Sequence, residues 1–98
     1  IETKSGKNSG VTYNQLAVLY NKIGDYETAL DYINKGKKLK DISINKSLLY
    51  NEVATYEKMG DFDTAYKKAK KYLDEYSDDK NMKREFKFLK TRILKETE

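Results

Sequence analysis

The chain has 98 residues and a formal charge of +4, from 20 basic and 16 acidic side chains. It contains no Cys, His, Pro or Trp, which excludes a disulfide framework, a Cys/His zinc site and a Ser-His or Cys-His nucleophile pair within this sequence. The length supports one core and not two, and the lack of Pro with only five Gly favours long helices.

Hydrophobic residues make up 38%, yet aromatics reach 12% with nine Tyr, more than a disordered chain carries. A thin, surface-rich fold fits both figures. The mild positive charge is ordinary for a protein surface and does not by itself nominate nucleic acid. No apolar run approaches the ~20 residues of a membrane span, and no leader pattern is visible. The sequence opens at Ile1 rather than Met, which fits a processed or excised piece. Zero cysteine suits any redox compartment, and a cytoplasmic setting is the default expectation.

Residues 1–10 (IETKSGKNSG) are polar and Gly/Ser-containing and read as a flexible lead-in. A first helical hairpin is expected at about 11–40. Tyr13, Leu16, Ala17, Tyr20 and Ile23 recur at helical spacing. Gly24 then stops the helix in a left-handed conformation, and Asp25 caps the next one. That second helix carries Tyr26, Ala29, Ile33 and Gly36 on one stripe. Gly36 in mid-helix costs about 1 kcal/mol relative to Ala, which fits a place where a neighbouring helix approaches closely.

Residues 41–46 link to a second hairpin at about 45–76, with Ser43 or Asn45 as the cap of its first helix. Leu49, Val53, Tyr56 and Met59 form one face, Gly60-Asp61 the corner, and Phe62, Ala65, Ala69, Tyr72 and Tyr76 the next stripe. The two hairpins are copies. Residues 22–29 read KIGDYETA and residues 58–65 read KMGDFDTA, identical at five of eight positions at an offset of 36. A two-residue corner forces each helix pair antiparallel. After residues 77–80 a capping helix is expected at about 80–96, with Met82, Phe86, Leu89 and Ile93 as its stripe. Phe88 and Leu94 lie off that stripe, as scattered surface residues or as contacts to another chain.

These units resemble tetratricopeptide repeats, helical hairpins of about 34 residues. The match covers residues 10–77, with units opening at Gly10 and Lys46. Tyr13 and Leu49 stand where the family has Trp, Ala17 and Val53 at its small first-helix position, Tyr20 and Tyr56 at its aromatic, and Ala29 and Ala65 at its second-helix Ala. Glu52 and Ala69 depart from the pattern, and Asp41 and Ser77 replace the closing Pro. The fold the resemblance implies is all-α, an α-α superhelix (solenoid) of two such hairpins plus the capping helix. Tyr20 and Tyr56 would fill the space between helix pairs, and truncating either would cost roughly 3–5 kcal/mol. Two repeats alone are marginal for such a fold, hence the need for a cap.

The resemblance also implies a function: non-catalytic binding of a protein or peptide in a groove lined by first helices. Its positions fall on Val11, Asn14, Val18, Asn21 and Lys22, and on Ser47, Tyr50, Ala54, Glu57 and Lys58, with Arg84 and Lys87 added by the last helix. Asn amides suit a peptide backbone, and Lys22, Lys58, Arg84 and Lys87 suit acidic groups on it. The family's carboxylate clamp is broken by Asn14 and Val18. A plainer reading is that these residues merely solvate the inner face. The alternative reading is a self-association module or a fragment of a larger regulatory protein. Lys35, Lys37, Lys38, Lys40, Lys67, Lys68, Lys70 and Lys71 read as a solvated outer face. No enzyme, cofactor, metal, membrane or nucleic-acid role is expected: the acid pairs lack EF-hand spacing, there is no Gly-rich phosphate loop, and Arg is confined to Arg84 and Arg92.

Overall fold

The computed structural model describes residues 9–96. It holds five helices: α1 (Gly10–Ile23), α2 (Tyr26–Lys38), α3 (Ile42–Lys58), α4 (Phe62–Glu75) and α5 (Lys80–Glu96). Most of the expected lead-in lies outside the described residues. Its last two residues belong to α1: Gly10 is its first residue, and the Ser9 hydroxyl accepts from Thr12 N at 3.1 Å as the cap.

The two corners are geometric twins. Gly24 and Gly60 have φ of 92° and 81°, a region open to Gly without a Cβ penalty. Asp25 and Asp61 follow at φ, ψ of −91°, 78° and −89°, 75°. Each Asp carboxylate accepts from the backbone N–H three residues on, Thr28 or Thr64, at 3.2 Å. Each Asp backbone N–H in turn donates to a carbonyl of the preceding helix, Tyr20 or Tyr56. The repeated sequence therefore repeats these backbone bonds, while Asp25 Oδ2 also accepts from the Thr28 hydroxyl at 2.7 Å.

Helices pack on sequence neighbours: α1 on α2, α2 on α3, α3 on α4 and α4 on α5, with α1 also against α3. This is a five-helix, locally packed, all-α arrangement. Its core is Ala17, Ala29, Ile33, Leu48, Val53, Ala65, Ala69, Tyr72, Met82 and Leu89, all buried. Ala17, Ala29, Ala65 and Ala69 are fully buried. A Cβ on Gly36 would stand 2.9 Å from Leu48 Cδ2 and 3.4 Å from Tyr13 Cβ, so the bare backbone there lets α3 approach α2.

One expectation needs correction. The third helix starts at Ile42 and is capped by Asp41, not by Ser43 or Asn45; Asp41 Oδ1 accepts from Ser43 N at 3.0 Å and from its hydroxyl at 2.7 Å. A carboxylate complements the helix dipole as well as the free amides, which a hydroxyl does not. Lys40, at φ 53°, makes the preceding turn. Tyr20 is half-buried and stacks on Tyr32 of its own hairpin, with ring centroids 5.6 Å apart.

Candidate functional site

The residues nominated from sequence separate into three groups. Asn14 and Asn21 lie in the seam between α1 and α3. Asn51 Nδ2 donates to Asn14 Oδ1 at 2.7 Å, and buried Asn21 donates through Nδ2 to Thr55 Oγ1 at 2.8 Å. The Thr55 hydroxyl reaches the Asn51 carbonyl at 2.7 Å. A buried amide without a partner is costly, and these bonds tie the two helices to each other. Val18 is half-buried beside them. Val11, Lys22 and Ser47 are exposed, and they line none of the hollows described below.

The second group comes together. Tyr50, Ala54, Glu57 and Lys58 line one hollow of about 220 Å³ between α3 and α5, with Val53, Met82 and Glu85. Helical spacing on α3 sets Tyr50, Ala54 and Glu57 on one face. Buried Val53 and Met82 form part of the apolar wall. The Tyr50 ring meets Tyr72 edge-on at 6.0 Å, which fixes its orientation.

The third group, Arg84 and Lys87, is exposed and lines no part of this hollow. Arg84 Nη2 donates to Asn81 Oδ1 at 2.6 Å. The register of α5 turns Met82, Glu85 and Leu89 inward instead. Glu85 and Met82 are therefore site residues that sequence reasoning missed. One signal was present: Glu85 sits three residues after Met82 and four before Leu89, a charge inside an apolar stripe.

The hollow is electrostatically distinctive. Burial, then a hydrogen bond and repulsion from Glu85, push the Glu57 carboxyl up to about 8. The Tyr50 phenol is also raised, chiefly by burial and next by the Glu85 charge. Two carboxyls line this space, accompanied by Lys58 alone among cations.

A second polar hollow of about 420 Å³ lies among α2, α3 and α4. Within it Glu52, with a side chain 4% exposed, receives Lys37 Nζ at 3.1 Å and Lys68 Nζ at 3.6 Å. The residue that breaks the repeat pattern is an ionic tie between both hairpins. Two of the basic side chains assigned to a solvated face thus point inward.

Among the described residues, no group of three or more His, Cys, Asp or Glu side chains could hold a metal ion, and no helix is long and apolar enough to cross a membrane. Comparison with models of known families, with curated proteins and with solved structures gave no match.

Proposed function

We propose that this chain is a non-catalytic protein- or peptide-interaction module and that the α3–α5 hollow is part of its contact surface. The observation that carries the reading is the convergence of Tyr50, Ala54, Glu57 and Lys58 with Val53 and Met82 around one space. Apolar walls with a few polar groups at the edge are the general form of a recognition pocket. The twin Gly-Asp corners and neighbour-on-neighbour packing support the tetratricopeptide-like superhelix as part of the same proposal.

The test is to fill the space. Ala54→Trp should abolish capture of a partner by the immobilised chain while helicity by circular dichroism is retained. Lys22→Glu, outside the hollow, should bind as wild type. Undiminished capture by folded Ala54→Trp would place the contact elsewhere.

A second reading, self-association, is favoured by the far edge of α5. Phe88 is 49% exposed, and a hollow of about 340 Å³ between α4 and α5 is lined by Tyr66, Ile93 and Leu94. Sedimentation separates the two readings: a monomer at every concentration removes self-association.

A further inference from the structure

The positive charge of the chain is concentrated in one helix. Seven of the 17 residues of α5 are Lys or Arg and two are Glu, so its +5 exceeds the +4 of the whole sequence. Among the described residues the ion pairs are Lys37–Glu52, Lys46–Asp79 and Lys68–Glu52, none of them on α5. Arg84 donates to Asn81, and Arg92 lies over the Phe62 ring at 4.5 Å. Lys83, Lys87 and Lys90 are exposed, and steps of four and three residues set them in one row along the helix.

That row borders an apolar groove. Between α4 and α5, Tyr66, Ile93 and Leu94 line a hollow of about 340 Å³, together with exposed Lys67 and Lys90 and with Asp63. The Tyr66 ring stacks on Phe86 of α5, with centroids 4.8 Å apart, so part of the floor is fixed before anything binds. Helical spacing continues the α4 side to exposed Lys70. The groove shares no residue with the α3–α5 hollow and stands or falls apart from it.

We propose that the α4–α5 groove docks an acidic amphipathic helix of another protein. Apolar side chains of that helix, one turn apart, lie on Tyr66, Ile93 and Leu94. Its flanking Asp and Glu meet Lys67 and Lys70 on one side and Lys83, Lys87 and Lys90 on the other. Charge at such a rim speeds encounter and selects the partner, while the apolar floor holds it.

The groove favours a helix because a helix bonds its own backbone. An extended peptide would find no backbone partners here, since those of α4 and α5 are already engaged along each helix. The same edge has apolar area enough for self-association, but its charge points to a different occupant. No described helix carries more acidic than basic side chains, so a second copy offers this row no acidic helix. A nucleic-acid backbone would match the lysines and gain nothing from the aliphatic floor.

A displayed peptide library tests the assignment. Each peptide spans about five helical turns, with Leu along one face and Glu or Lys at random elsewhere. Peptides retained by the immobilised chain should be enriched in Glu. One of them, labelled and followed by fluorescence anisotropy, should bind about tenfold more weakly to Lys67→Glu with Lys90→Glu, and that variant should prefer the Lys-for-Glu form of the peptide. Leu94→Ser leaves net charge unchanged and should weaken binding several-fold, whereas Phe88→Ser, outside the groove, should bind as wild type. Amide shifts of the wild-type chain need no variant: on adding peptide they should cluster in the first half of α4 and the second half of α5. Retained peptides without excess Glu, equal binding by folded Leu94→Ser, or shifts confined to other helices would each overturn the proposal. So would a duplex oligonucleotide or phosphatidylserine vesicles that bind more tightly than the peptide and weaken in the same variants. A wild-type dimer in sedimentation that Leu94→Ser dissolves would give the groove to a second copy instead.

Discussion

Gly36 shows how one missing atom sets a helix spacing. An added methyl would press on Leu48, which is 1% exposed and has little room to move. Overpacking of this kind costs about 1–3 kcal/mol, and the helix-propensity gain offsets about 1. Gly36→Ala should therefore lower stability by roughly 1 kcal/mol in urea unfolding; a more stable variant would mean Leu48 has space to yield. Glu52 poses the opposite question, since its lysines are each about a third exposed and can turn to water. Glu52→Leu should stay within about 1 kcal/mol of wild type, whereas Lys37→Ala with Lys68→Ala should cost about 3 kcal/mol by stranding a buried carboxylate. Similar losses in both variants would show that the ionic tie itself, and not its disruption, sets the energy.

At the scale of the element, caps decide where helices begin. Asp25 and Asp61 occupy the same conformation and make the same 3.2 Å bond. Asp25→Ala and Asp61→Ala should each cost about 1 kcal/mol, and nearly equal shifts in the urea midpoint would express their equivalence. Asp79 starts α5 differently. Its Oδ1 accepts from Met82 N at 3.0 Å and its Oδ2 from the Tyr72 hydroxyl. The Tyr72 bond first, then the Met82 amide, hold this carboxyl below its ordinary 3.8, while Lys46 adds a smaller pull. Its stabilisation is present above that ordinary value and is lost as pH falls through the lowered one. Asp79→Asn should remove this acid limb from a melting-temperature profile against pH. An unaltered limb would assign acid unfolding to other carboxylates.

The whole molecule is long and thin, 53 × 28 × 17 Å. Each helix packs on its neighbours in sequence, and α1 also packs on α3. The last helix is α5, which brings fully buried Met82 and Leu89 to a cluster with Val53, Ala65, Ala69 and Tyr72. Ending the chain after Asp79 would remove both side chains, about 4 kcal/mol of burial. The melting temperature should fall by roughly 20 °C, with Tyr72 and Val53 newly exposed. A truncated chain that melts like wild type would show α5 to be an accessory. Glu57 and Asp79 together predict a stability maximum between their two limbs: Asp79 weakens the fold in acid, and Glu57 weakens it as pH rises to about 8.

Local physics was readable without coordinates. The hairpin corners, the buried Ala positions and the α5 stripe of Met82, Phe86 and Leu89 depend on helix periodicity, caps and φ-permissive Gly. Each of these acts within a few residues along the chain. The site was legible only on α3, where Tyr50, Ala54, Glu57 and Lys58 share a face by spacing alone. Whether Asn21 faced a ligand or Thr55, and whether Arg84 or Glu85 turned inward, depended on the rotation of one helix against another. That rotation is settled by the packing of many side chains distant in sequence, so tertiary structure alone decided which polar groups meet each other and which meet the hollow.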